Sequence, residues 1–116
     1  MKKRAFLVVG LLLLFAASLL AESKSNLQVF EISPNPMKDK CAIELAFAQE
    51  TEIILTIENQ RGQVIRTIYS GAISKSETFI WEREDDYGNW VMPGEYSVVI
   101  NYQSRYTSTK KTLILK

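Results

Sequence analysis

The sequence predicts an all-β domain, an antiparallel sandwich of about seven short strands. Three observations carry that expectation. Apolar and polar residues alternate at period two in one segment after another. Turn residues punctuate the chain at intervals of roughly ten residues. Beyond the amino-terminal stretch no segment repeats apolar residues at helical spacing.

The chain of 116 residues allows one domain, and its beginning stands apart from that domain. Lys2, Lys3 and Arg4 form a basic start, and Ala5 to Ala21 is an apolar run interrupted only by Gly10 and Ser18. This pattern reads as a secretory signal peptide over residues 1–21. Small residues permit cleavage after Ser18 or Ser23, whereas cleavage after Ala21 leaves Leu19 where a small residue is preferred. An uncleaved anchor is the competing reading, but the run is slightly shorter than the ~20 residues a spanning helix needs. No cysteine lies near the cleavage region, so nothing suggests a lipid anchor. Residues 22–28 read as a short linker and 29–116 as the folded domain.

The strands follow in order. Leu27 to Ile32 alternates and stops at Ser33-Pro34-Asn35-Pro36, where two prolines remove ladder donors and fix φ. Cys41 to Phe47 places Cys41, Ile43, Leu45 and Phe47 on one face. Glu52 to Glu58 does the same with Ile53, Leu55 and Ile57. Asn59-Gln60-Arg61-Gly62 is a hairpin turn, and Gln63 to Tyr69 returns. Ser70-Gly71 is expected to open a longer loop. Glu77 to Arg83 is the fifth strand, with Phe79 and Trp81 facing inward. An acidic turn, Asp85-Asp86-Tyr87-Gly88, and a Pro93-Gly94 corner follow; Gly88 and Gly94 fall where a reversing chain needs positive φ. Glu95 to Tyr102 groups Tyr96, Val98, Ile100 and Tyr102. Gln103-Ser104-Arg105 turns the chain into the last strand, Tyr106 to Leu115, with Leu113 and Leu115 inward.

Composition excludes several functions. The formal charge of +1 becomes mildly negative once the basic start is removed, and no basic stripe remains to bind nucleic acid. The absence of histidine rules out Ser-His and Cys-His nucleophile pairs and histidine metal sites. There is no Gly-rich phosphate loop. These features give no catalytic, cofactor-binding or metal-binding residue, and the chain reads as a non-enzyme. Glu82, Glu84, Asp85 and Asp86 cluster, but in a turn, where such residues bond locally and stay solvated. Calcium at Glu84–Asp86 is a lesser reading, since adjacent carboxylates do not converge on one ion. Cys41 is the single cysteine; its place on an inward face makes it a small core residue rather than a link to another chain.

Four segments together resemble a known family. Ser33-Pro34-Asn35-Pro36 looks like the Pro-Asn-Pro corner that opens the Ig-like domain of the flagellar hook-capping protein FlgD and the C-terminal sorting domains of type IX secretion. Ile57-Glu58-Asn59-Gln60-Arg61-Gly62-Gln63-Val64-Ile65 is similar to their second hairpin. Trp81 through Tyr96 fits a Trp-Asp-Gly…Asp…Gly…Val…Gly-x-Tyr segment, and Lys110 to Lys116 looks like the closing strand. Glu82-Arg83 stands where the family usually has Asp-Gly, so a changed turn geometry is expected there.

The resemblance implies an Ig-like, fibronectin III-like sandwich in an exported protein, located in the periplasm, on the outer surface or outside the cell. It implies a non-catalytic interaction or assembly module of the bacterial envelope, with a protein partner and no membrane span after signal cleavage. The alternatives are a type IX sorting domain acting as an export or attachment signal, and a small exported protease inhibitor. Candidate partner-surface residues are Trp90, Tyr102, Tyr106, Lys110, Lys111 and Lys116. Trp90 either closes the end of the sandwich or stands exposed as an anchor. Tyr102 and Tyr106 either make outward contacts or pack the strand ends.

Overall fold

The computed structural model describes residues 26–102 and 107–116. The expected signal peptide, the 103–105 turn and Tyr106 lie outside those residues. Seven strands form: β1 (Leu27–Ser33), β2 (Cys41–Phe47), β3 (Thr51–Glu58), β4 (Val64–Ile73), β5 (Ser76–Trp81), β6 (Gly94–Tyr102) and β7 (Thr107–Leu115). They pair into a three-stranded sheet, β1-β2-β5, and a four-stranded sheet, β4-β3-β6-β7. All the strand pairs are antiparallel. This is an Ig-like sandwich with the sheet arrangement of a fibronectin III domain.

Alternation builds the core. Ile43, Leu45 and Phe47 of β2, Ile53, Leu55 and Ile57 of β3, Val98 and Ile100 of β6, and Leu113 and Leu115 of β7 are buried in one cluster. Trp81 joins them at the end of β5, opposite Cys41. Its indole N–H donates to the Glu84 carbonyl at 2.9 Å, which satisfies the one polar atom of a buried ring. Cys41 is buried and free. Loss of solvent pushes its thiol up to about 11.

β1 begins at Leu27, where the alternation places it, and Asn26 before it is buried, donating through Nδ2 to Thr51 Oγ1 at 3.1 Å. Two boundaries differ from the sequence reading. β4 runs on to Ile73 instead of opening a loop at Ser70-Gly71, because Ser70 through Ile73 stay paired to β3 as far as Thr51. Gly71 fits there because a Cβ would meet the Tyr69 hydroxyl at 3.1 Å. β5 ends at Trp81, and Arg83 lies beyond the strand.

Four features meet at one end of the sandwich: the 34–40 corner, the 59–63 hairpin, the 82–93 loop and the end of β7. The pairings of Cys41 with Trp81 and of Gly94 with Leu115 place them there. The opposite end holds the start of β1 and the junctions between β2 and β3 and between β4 and β5.

Candidate interaction surface

Arg83 organises the first of these ends. Its side chain is 2 % exposed, which is unusual for a residue type seldom fully buried. Nε donates to the Val91 carbonyl at 2.8 Å, and Nη1 donates to the carbonyls of Lys116, at 2.9 Å, and of Lys38. One side chain thereby ties the connector, the end of β7 and the Pro-rich corner together. Its backbone has φ 64, in the left-handed region. Arginine here occupies a conformation that glycine adopts freely, and the side-chain bonds offset the strain.

The acidic turn is wired to itself and to β4. Asp85 Oδ1 accepts from the backbone N–H groups of Tyr87 and Asn89, each at 2.9 Å. Asp86 Oδ1 accepts from Thr67 N at 3.0 Å, and Asp86 N donates to the Ile65 carbonyl at 2.9 Å. The turn therefore caps the outer edge of β4, a position that otherwise leaves ladder groups open. Among the described residues no group of three acidic or cysteine side chains converges on a metal position. Gly88, at φ 83, supplies the reversal. Tyr96 opens β6 with its hydroxyl donating to the Met92 carbonyl at 2.7 Å, the tyrosine corner of Ig-like sandwiches.

The edge of β7 is capped as well. Asn35 Nδ2 donates to the Thr112 carbonyl at 2.8 Å, and its Oδ1 accepts from Ile114 N at 3.0 Å. Met37 continues the pairing, donating to the Ile114 carbonyl and accepting from Lys116 N. The Pro-Asn-Pro corner thus acts as a short surrogate strand beside β7.

On this fixed frame the 84–93 loop carries large apolar side chains into solvent: Tyr87 is 90 % exposed, Met92 67 % and Trp90 58 %. The Trp90 ring stacks over the Arg83 guanidinium, whose central carbon lies 4.1 Å from its centroid. Trp90 covers Arg83 with one face and presents the other to solvent. An open groove of about 330 Å³ adjoins the loop, lined by Gln60, Arg61, Pro93, Glu95 and Tyr96 among others.

The other candidate residues do not join Trp90 in one surface. Only Lys116, exposed and bonded to Arg83 through its carbonyl, lies beside it. Lys110 is exposed in the middle of β7 and pairs with Glu58 at 3.3 Å across β6. Lys111 reaches Glu31 at 4.0 Å and lies 5.4 Å from the Phe30 ring. Tyr102 sits at the far end of β6, about 26 Å from Gly94 at ~3.3 Å per residue. It packs edge-on against Phe47, with centroids 5.2 Å apart. Tyr106 falls outside the described residues. Sequence reasoning missed Arg83, Tyr87 and Met92. The signal that could have found Arg83 was its place in a glycine position of the family pattern.

The fold and the tyrosine corner define the class, a small Ig-like β-sandwich of the fibronectin III type. The chain belongs to the FlgD Ig-like domain family, whose model matches residues 37–105. No curated protein matches it. Among solved structures it is similar to latent dimeric PorU from Porphyromonas gingivalis, with a TM-score of 0.60 and 14 % identity over 74 % of this chain and 9 % of that one. It is also similar to PorZ of the same organism, described as an essential bacterial surface component of the type-IX secretion system. That match has a TM-score of 0.54 and 17 % identity over 75 % of this chain and 11 % of PorZ. The chain thus spans about a tenth of either protein, and these likenesses concern the fold.

Proposed function

We propose that the chain is an exported, non-catalytic interaction module of the bacterial cell envelope that docks on a partner protein through the 84–93 loop. The observation that carries this reading is the exposure of Tyr87, Trp90 and Met92 on a loop held rigid from beneath by Arg83, Asp85 and Asp86. Aromatic residues on a fixed backbone suit recognition, because little conformational entropy is lost on docking. Membership of the FlgD Ig-like family supports an extracytoplasmic assembly role. The basic start and apolar run over residues 1–21 support export.

Affinity capture from envelope extract tests the reading. The chain from residue 26 onward should retain a partner that the Tyr87→Ser, Trp90→Ser double variant releases. Equal capture by both proteins refutes docking through this loop. Amino-terminal sequencing of protein from the native host tests export; an intact Met1 overturns it.

A second reading, a type IX sorting signal, is favoured by the likeness to a segment of PorZ. Residues 26–116 fused behind a periplasmic reporter should then carry it to the surface of a host that has that machinery. A reporter that stays in the periplasm removes this reading and leaves the interaction module.

A further inference from the structure

We propose that the free edge of β5 pairs with the same edge of a second copy of this chain, joining two three-stranded sheets into one of six strands. This surface is separate from the 84–93 loop, and the inference is independent of the loop-docking reading.

Two open sheets leave four edge strands, β1, β5, β4 and β7, and an unshielded edge is a template for another chain. Three of the four are shielded. β7 is bonded along its final residues by Asn35 and Met37 and carries Lys110 and Lys111 before them. β4 has two bulges, and Asp86 meets its Ile65 carbonyl and Thr67 N–H. Its Ala72 carbonyl accepts from the Tyr69 hydroxyl at 2.6 Å. β1 has a bulge between Leu27 and Val29 and ends before Pro34. Lys111 also lies across β1, reaching Glu31 and the Phe30 ring.

β5 has no such cover. It contains no proline, lysine or arginine and stays in unbroken register with β2. The Phe47 N–H donates to the Lys75 carbonyl at 2.7 Å, so the odd-numbered residues of β5 are the ones that bond to β2. Ser76, Thr78 and Ile80 therefore aim their N–H and C=O groups away from the sheet. Among the described residues none of those groups has a partner. Their side chains form an uncharged, exposed outer row, with Ile80 54 % exposed. At the same margin Phe79 and Tyr69, with ring centroids 5.1 Å apart, stay half-buried, and an added strand would shelter them.

A second copy fits this edge because β5 is complementary to itself. Antiparallel pairing about a twofold axis at Thr78 sets Thr78 against Thr78 of the second copy and Ser76 against its Ile80. All three residues with open groups then exchange both bonds, about six in total. Two threonines also face each other on the outer side, a favoured cross-strand pair. Glu77, the one charge on the strand, falls opposite Phe79 of the second copy. Centring on Glu77 would set two carboxylates face to face, which is unfavourable. Centring on Phe79 would leave Ser76 without a partner inside the strand. With no charge on its outer row, β5 selects by backbone and shape, which its own copy satisfies. The joined sheet ends on the shielded β1 at both sides, so the isologous contact closes at two copies.

Analytical ultracentrifugation of the protein recovered from its native host should show a monomer–dimer equilibrium that stops at the dimer. Thr78→Pro removes a donor that faces away from β2, a place where an edge strand tolerates proline. It should keep its fold and raise the dimer dissociation constant about tenfold or more, as lost interstrand bonds require. Ile80→Lys, which puts a charge on the outer row, should do the same without touching the backbone. Under mild oxidation Thr78→Cys should link two copies, because residues of a bonded pair lie ~5.5 Å apart. Ser76→Cys, roughly 13 Å from its counterpart in this register, should not. Cys41 is buried and does not compete. A protein that stays monomeric at every concentration overturns the proposal. So does a dimer unmoved by both Thr78→Pro and Ile80→Lys, or linkage of Ser76→Cys as ready as that of Thr78→Cys. A monomer that crosslinks from position 80 to a different protein overturns it in favour of that protein's strand. Each of these leaves the loop-docking reading to its own capture test.

Discussion

The guanidinium of Arg83 lies 4.1 Å from the ring centroid of Trp90, a buried cation beneath a half-exposed aromatic. The contact joins the part of the end that holds the fold to the part that meets solvent. Arg83 fixes the connector, the Pro-rich corner and the end of β7 through three carbonyls, and Trp90 rests on it.

Substitution at position 83 should separate backbone strain from side-chain bonding. Arg83→Ala keeps a side chain in the left-handed region and removes all three hydrogen bonds, so it should be the more damaging change. Arg83→Gly loses the same bonds but relieves ~1 kcal/mol of steric cost. Urea unfolding of both variants should rank wild type above Arg83→Gly and Arg83→Gly above Arg83→Ala. The reverse order of the two variants would contradict the left-handed assignment.

The two tryptophans should behave oppositely. Trp81 is 2 % exposed, and Trp81→Ala should cost ~3–5 kcal/mol through the cavity it leaves. Trp90→Ala removes a cation–π contact worth roughly 0.5–2 kcal/mol and little packing. A urea midpoint that moves more for Trp90→Ala than for Trp81→Ala would put the wrong indole in the core.

Asn35 substitutes for a strand at the edge of β7, so Asn35→Ala should unprotect that edge. The loss of two partly exposed hydrogen bonds should cost ~1–2 kcal/mol. Hydrogen exchange is the sharper measurement. The Ile114 amide, which donates to Asn35 Oδ1, should exchange faster in the variant, while the Val98 amide in the neighbouring strand changes much less.

Much of this architecture is legible in the sequence because it depends on period-two burial. All seven strands fall where alternation places them, and the Pro-Asn-Pro and Pro-Gly corners fall between them. What escaped is set by contacts distant in sequence. The continuation of β4 through Ser70-Gly71 depends on pairing with Thr51–Ile54, which overrides a local turn signal. Arg83 reads as the last residue of a strand, and the carbonyls of Lys38 and Lys116, distant in sequence, join that of Val91 in holding it as a buried residue. Of the candidate surface residues, Trp90 and Lys116 lie at the Arg83 end, while Lys110 and Lys111 lie along β7 opposite Glu58 and Glu31 and Tyr102 packs on Phe47 at the other end.

Cys41 gives a pH signature. Burial raises its thiol to about 11 from an ordinary value of 9.0, so the folded state holds the proton where the unfolded chain releases it. Stability from this group is constant below about pH 9 and falls as pH rises between about 9 and 11. Lysines and tyrosines titrate in the same range, so the comparison is with Cys41→Ala, whose stability should fall less steeply there. Identical slopes for the two proteins would show that the thiol is not held protonated by the core.

Photo-crosslinking in the native host tests the central claim, that the 84–93 loop is the docking surface, most directly. A photoreactive amino acid is placed at Tyr87 in one protein and at Ile80, exposed on the outer face of β5, in another. The account predicts a discrete adduct with another protein from position 87 that is lost when Trp90→Ser is added, and from position 80 at most a link between two copies of the chain. An adduct with another protein from position 80 with none from position 87 would contradict it and move the docking surface to the β1-β2-β5 sheet.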